Sequence, residues 1–106
     1  MSKYVTVATT DEILPGTGRT VEVNGVRIAL FNVAGTFYAV DNTCPHAGGP
    51  IGEGSLTGDI VECPWHGWEF NVCTGVRPSN PDFSLTCCPV RIEGNEVQIA
   101  LPPGFT

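Results

Sequence analysis

The fold of this chain is decided by residues 44–68, which read CPHAGGPIGEGSLTGDIVECPWHGW. The stretch begins with a C-x-H cluster, Cys44-Pro45-His46, and sixteen residues later it reaches a C-x-x-H cluster, Cys63-Pro64-Trp65-His66. The two clusters contain both histidines of the protein, each beside a cysteine and each followed by glycine within two residues. Chance scatter explains such pairing poorly, so the clusters predict a metal site.

Two kinds of metal centre suit two thiolates and two imidazoles. A tetrahedral zinc ion accepts this donor set, but structural zinc sites usually pair Cys with Cys and His with His. Here each loop carries one of each. A [2Fe–2S] centre with chemically different ends suits mixed loops, if each loop gives its cysteine to one iron and its histidine to the other. The mixed order favours the dinuclear centre and leaves a zinc-holding structural or interaction module as an alternative.

The residues around these clusters carry a specific likeness. The stretches are Cys44-Pro45-His46-Ala47-Gly48-Gly49 and Cys63-Pro64-Trp65-His66-Gly67-Trp68, followed by Glu69-Phe70-Asn71 and Thr74-Gly75. They resemble the two cluster-binding loops of the Rieske family. The chain is most similar to the small soluble branch of that family, the bacterial Rieske-type [2Fe–2S] ferredoxins that serve aromatic ring-hydroxylating dioxygenases.

The resemblance implies a ligand set and a fold. Cys44 and Cys63 would ligate the inner iron of one Rieske-type [2Fe–2S] cluster, and His46 and His66 would ligate the outer, reducible iron. The implied fold is all-β, with an antiparallel β-sandwich base and an inserted cluster-binding subdomain of two loops. We expect a single Rieske domain over residues 1–106, with the cluster-binding subdomain at approximately 42–82.

The strand pattern independently favours an all-β chain. Asn24-Gly25 separates two alternating runs, 20–23 and 26–31, and both residues accept the positive φ of a type I′ hairpin turn. A second turn is expected at Ala34-Gly35, and a third at Glu93-Gly94-Asn95. No segment has the period of a long amphipathic helix. The Gly- and Pro-rich residues 45–58 and 74–81 are predicted as loops, with short strands at 60–62 and 68–70 between them.

Charge excludes several kinds of partner. The net charge is −6, and the five Lys and Arg residues are scattered, which argues against a nucleic-acid surface. No apolar run has the length of a membrane span, and residues 1–15 lack the pattern of a signal peptide, so we expect a cytoplasmic protein without a membrane partner. Between Asp41 and Asp82 the net charge is −5, with Arg77 as the sole cation.

Three cysteines remain outside the two clusters: Cys73, Cys87 and Cys88. An odd total of five does not suit a disulfide framework. Adjacent residues of a strand point to opposite faces, so Cys87 and Cys88 are predicted to divide between the surface and the core.

Two departures from the respiratory branch of the family bear on the redox potential. Respiratory Rieske proteins have an additional cysteine in each loop, joined as a disulfide, whereas Gly49 and Trp65 occupy the matching positions here. The hydroxyl donors to the cluster of that branch are replaced by Trp68 and Phe70. Fewer donors and nearby carboxylates disfavour the reduced cluster. We therefore expect a potential at the low end of the Rieske range of roughly −150 to +300 mV.

The predicted function is one-electron transfer, without catalytic residues. The resemblance implies that a flavin-dependent, NAD(P)H-oxidising ferredoxin reductase donates the electron and that a terminal oxygenase in aromatic hydrocarbon catabolism receives it. A complete oxygenase needs a mononuclear iron with two further histidines, which this chain lacks. Residues 16–18 do not continue into a dinucleotide-binding G-x-G-x-x-G pattern. A small Rieske-like subunit of an assimilatory nitrite reductase is the alternative.

Overall fold

The computed structural model describes residues 3–45, 48–65 and 67–102. Within these residues it contains ten β-strands and one short 3-10 helix, Ile51–Glu53. The strands are β1 Val5–Thr9, β2 Thr17–Val23, β3 Val26–Val33, β4 Thr36–Asp41, β5 Ser55–Thr57, β6 Ile60–Glu62, β7 Glu69–Asn71, β8 Cys87–Cys88, β9 Val90–Glu93 and β10 Glu96–Ile99. The all-β prediction is confirmed. In this part of the chain, no helix is long and apolar enough to cross a membrane.

The predicted hairpins form where the turn residues allow positive φ. Asn24 and Gly25 have φ of 52° and 83° and join β2 to β3 in an antiparallel pair, as a type I′ turn requires. Ala34 and Gly35 also have positive φ and join β3 to β4. The last hairpin is tighter than predicted, because Glu93 pairs with Glu96 and only Gly94 and Asn95 form the turn.

A four-stranded sheet, β2-β3-β4-β8, lies at the centre of the molecule. One face packs on the three-stranded sheet β1-β10-β9 through Ile28, Leu30 and Val97, which are fully buried. The other face presents Phe31 and Val40 to a second core. Because both faces are covered, β3 is apolar over four consecutive residues, 28–31, rather than alternating.

The second core joins the central sheet to the segment that carries the Cys/His clusters. Its buried members include both cluster cysteines, together with Ile51, Val61 and Phe70. The chain leaves the central sheet after Asp41 and returns at β8, and between them it forms the antiparallel sheet β5-β6-β7. The assignment of 42–82 as a subdomain stays a prediction.

One part of the loop prediction for 45–58 is wrong. The 3-10 helix and β5 both lie within this range. Leu56 of β5 pairs with Val61, and a methyl group on Gly54 would collide with the carbonyl oxygen of Glu62. The strand therefore depends on pairing with β6 and on a glycine that permits close approach, and neither is a local sequence signal.

Candidate metal centre

The two cysteine loops share one backbone design. Residues 44–49 lie within the antiparallel bridge between Thr43 and Pro50, and residues 63–68 lie within the β6–β7 pair of Glu62 and Glu69. Each is therefore a six-residue tip closed at its base by antiparallel pairing.

The hydrogen bonds inside the two tips match position by position. The amide of Cys44 donates to the carbonyl of Gly49 at 3.0 Å, and that of Cys63 donates to Trp68 at 2.7 Å. The amide of the fifth residue, Gly48 or Gly67, donates back to the cysteine carbonyl at 2.8 and 3.0 Å. Both glycines have φ of 75°, a conformation that explains glycine at this position. The shared geometry means that the loops present equivalent positions to a common centre.

The two loop cysteines lie under the surface and close to the opposite loop. Cys44 and Cys63 are each 1% exposed and belong to the same buried cluster. A methyl group on Gly49 in the first loop would lie only 2.7 Å from Sγ of Cys63 in the second. The structure thus brings the two predicted thiol ligands into one buried environment. His46 and His66, the predicted outer ligands, lie outside the described residues.

Asn42 anchors the first loop from inside the protein. This buried side chain accepts hydrogen bonds at Oδ1 from the hydroxyl of Thr20 at 3.0 Å and from the amide of Gly52 at 2.8 Å. Its carbonyl accepts the amide of Ile51 at 2.8 Å. These bonds fix both ends of the first loop to β2 and to the 3-10 helix. Sequence reasoning did not single out Asn42, because its partners are distant along the chain.

An arginine–aromatic stack supports the second loop. The guanidinium carbon of Arg77 lies 3.7 Å from the ring centroid of Trp68, the last residue of that loop. The ring of Phe83 packs edge-on against the same indole, with centroids 5.0 Å apart. Nε of Arg77 is buried without a hydrogen-bond partner among the described residues. The one sequence signal for this contact was the position of Arg77 as the sole cation between Asp41 and Asp82.

Carboxylates gather at the base of the second loop. Glu62 and Glu69 are direct cross-strand partners and both are exposed. Like charges at opposed positions destabilise a sheet, so this pairing is not explained by stability. Oε2 of Glu62 would lie 3.2 Å from a methyl group on Gly67, which places its carboxylate against the second loop. Negative charge therefore lies beside the candidate centre.

Trp65, Trp68 and Phe70 take different positions around the loops. Trp65 is 59% exposed, yet its ring also packs over the backbone of Gly49 in the first loop. Trp65 therefore both faces solvent and covers part of the first loop. Phe70 is fully buried, and Trp68 packs against the same hydrophobic cluster.

The donor set and its surroundings fit a [2Fe–2S] cluster. Two buried cysteines on matched loops suit thiolate ligation of an iron away from solvent, and each loop also carries one histidine in the sequence. None of the five cysteines, all within the described residues, forms a disulfide. Gly49 and Trp65 have no thiol group, so no disulfide can join the two loops at these positions.

The protein-family model described as the Rieske [2Fe-2S] domain matches this sequence over residues 3–89. This range is most of the chain. The chain belongs to the Rieske [2Fe–2S] domain family. It therefore binds one Rieske-type [2Fe–2S] cluster, and the predicted Rieske fold is confirmed.

Individual Rieske proteins align along nearly the whole chain. Ferredoxin CarAc of Metapseudomonas resinovorans is 38% identical over 99 residues, which is 92% of each chain. A solved complex of reduced oxygenase and oxidized ferredoxin in carbazole 1,9a-dioxygenase includes a chain that is 38% identical, with a TM-score of 0.84 and 92% coverage of both. A chain assigned as an NADH-dependent nitrite reductase small subunit, from Mycobacterium tuberculosis, has a TM-score of 0.88 at 25% identity, with 96% and 97% coverage.

Proposed function

We propose that this protein is the ferredoxin component of a ring-hydroxylating dioxygenase system. It takes one electron from a flavin-dependent reductase that oxidises NAD(P)H and delivers it to a terminal oxygenase. The observation that carries the proposal is the pair of matched six-residue loops, each burying one cysteine, in a chain that aligns over more than nine-tenths of its length with ferredoxin components of dioxygenase systems. The cytoplasm, where NAD(P)H is available, is the proposed location.

Four residues are proposed as ligands: Cys44, His46, Cys63 and His66. The cluster supplies a centre that accepts and releases one electron. The burial of both cysteines supports their placement on the inner iron, because thiolate sulfur is then shielded from water and from exchange with other thiols. The family resemblance assigns the histidines to the outer iron. With both histidines engaged, the chain has none left for a mononuclear oxygen-activating iron, so its proposed role is electron transfer without catalysis of its own.

The surface beside the second loop suits a basic partner. Glu62 and Glu69 are exposed at the base of this loop, and Trp65 is exposed at its tip. Opposite charge on a partner speeds encounter, and the effect falls as salt screens it. An exposed aromatic side chain on the same loop supplies apolar contact area that the carboxylates do not.

The alternative role is that of a small subunit of a nitrite reductase. It rests on backbone similarity to a chain assigned as such a subunit, with a TM-score of 0.88. The higher identity to dioxygenase ferredoxins favours the free carrier. Affinity purification from the native host separates the two roles: the proposal predicts a separable protein that supports a dioxygenase. Stable association with a large sirohaem subunit would establish the alternative.

Reconstitution tests the proposal directly. Purified protein is added to the reductase and oxygenase of a dioxygenase system, and substrate hydroxylation is followed with increasing ferredoxin and with increasing salt. We expect turnover to depend on this protein and to slow as ionic strength rises. Cys63→Ser should abolish turnover, whereas Cys87→Ser, a matched thiol change outside the loops, should retain it. Reduction of the protein without any transfer to an oxygenase would contradict the proposed role.

A further inference from the structure

Two cysteines outside the cluster loops flank a second pair of chain segments. Val76 and Ser84 form an antiparallel bridge. The amide of Arg77 donates to Phe83 at 3.0 Å and the amide of Leu85 donates to Gly75 at 2.7 Å, one on each side of this bridge. Cys73 lies two residues before this pairing, in the turn that follows β7, and Cys87 lies two residues after it, at the start of β8.

Both thiols line one cavity. It has a volume of about 260 Å³ and opens to solvent. Tyr38 and Cys88 form part of its walls beside Cys73 and Cys87. Cys87 is exposed and Cys73 is half-buried, so a small reagent has access to this pair. The adjacent Cys88 is buried in the core between the two sheets.

Close contacts hold this pair in place. A methyl group on Gly75 would lie 3.0 Å from Sγ of Cys87, so the turn that follows Cys73 packs directly on the Cys87 side chain. A side-chain hydrogen bond with Cys73 raises the pKa of Tyr38, and both residues line the cavity. Burial, and then the charge of Cys73, raise the pKa of Cys87. A raised pKa does not suit a catalytic thiol.

We propose that Cys73 and Cys87 form a dithiol modification site that a low-molecular-weight disulfide converts to an intramolecular disulfide. The Cys87 thiolate attacks the reagent, whose S–S bond breaks and releases one small thiol. The Cys73 thiolate then attacks the mixed disulfide at Cys87 and releases the second. The two protein thiols lose two protons and two electrons, and the reagent is reduced to two thiols. The new bond links the turn after β7 to β8, and it does not depend on the proposed partners.

Treatment of the cluster-containing protein with hydroxyethyl disulfide tests this site. The products are read by intact mass and by a non-reducing peptide map, in protein that keeps its visible cluster absorption. We expect the wild type to lose two hydrogens without retaining the reagent, and the map to join Cys73 to Cys87. Cys73→Ser should stop at one reagent group on Cys87. Cys88→Ala, the matched control, should behave as the wild type.

Three results would overturn the site. The first is a wild type that retains the reagent on Cys87 as Cys73→Ser does, since the second thiol is then out of reach. The second is a cross-link that joins Cys87 to Cys88 or to a loop cysteine. The third is no reaction at either thiol under conditions that modify both in the unfolded chain.

Discussion

Gly49 and Trp65 lie against each other, at the two positions where the respiratory branch of the family carries an inter-loop disulfide. A methyl group on Gly49 would be 3.1 Å from Cγ of Trp65 and 2.7 Å from Sγ of Cys63. Here the loops meet by packing of an aromatic ring on bare backbone rather than by a covalent bond. The fit leaves no room for even one added carbon next to the sulfur of Cys63, a proposed cluster ligand.

Gly49→Ala should therefore impair cluster binding. Gly49 does not have a positive φ, so alanine suits its backbone and the damage comes from contact with Cys63. We expect less iron and labile sulfide per chain and faster cluster loss on warming. Gly58→Ala is the control, because Gly58 has φ of 62° and nothing within 4 Å of the added carbon. It should cost about 1 kcal/mol of stability through backbone strain and keep full cluster content. Equal cluster content in both variants would contradict the contact argument.

Glu62→Gln should raise the reduction potential. The carboxylate lies against the second loop, and removal of its negative charge makes addition of an electron easier. A unit charge at about 10 Å from the iron changes the potential by ~20–70 mV, according to the effective dielectric. Protein-film voltammetry measures the shift. Glu93→Gln is a matched change in the sheet β1-β10-β9 and should not change the potential. An equal shift of the potential in both variants would contradict a specific effect of the Glu62 carboxylate on the cluster.

Arg77→Met should lower both stability and potential. The substitution removes a guanidinium stacked 3.7 Å from the Trp68 centroid, a contact of about 0.5–2 kcal/mol, and it removes the one cation of residues 41–82. Arg77→Lys keeps the charge and loses the planar stack. We expect Lys to lose stability with little change in potential, measured by urea unfolding and by voltammetry. A potential equally lowered in both variants would mean that the stack, not the charge, sets it.

Alkaline pH should destabilise the fold through Cys88. Burial raises the pKa of this thiol from an ordinary 9.0 to about 11, with smaller contributions from Asp41 and Cys87. The folded state therefore binds the proton more tightly, and this contribution to stability is complete below about pH 9 and is lost as pH rises through 11. Two pKa units correspond to at most about 2.7 kcal/mol. The urea midpoint should fall over this window, and Cys88→Ala should show a shallower fall. Identical slopes would refute the assignment.

Local turn chemistry explains why much of the fold could be predicted. Asn24-Gly25 and Ala34-Gly35 accept positive φ at low cost, so they determine the hairpins that build the central sheet. The division of Cys87 to the surface and Cys88 to the core follows from strand alternation, and the structure confirms it. The Cys/His spacing predicted the cluster family because few metal centres need mixed loops.

The unpredicted features depend on contacts between distant residues. β5 is three residues long and exists by pairing with β6, so Gly-rich residues 48–58 carried no strand signal. The Asn42 anchor joins Thr20 and Gly52, and the Arg77 stack joins a loop to Trp68. None of these pairs has a spacing that helix or strand periodicity would reveal.

Pulsed EPR of the reduced protein, produced with ¹⁵N-labelled histidine, tests the central claim most directly. His46 and His66 are the two histidines in the sequence, so each labelled nitrogen that couples to the cluster identifies one of them. We expect couplings from two nitrogens that change from ¹⁴N to ¹⁵N on labelling, with one coupling absent in His46→Cys and one in His66→Cys. A reduced cluster without histidine coupling, or a colourless protein that contains one zinc ion, would contradict ligation by Cys44, His46, Cys63 and His66.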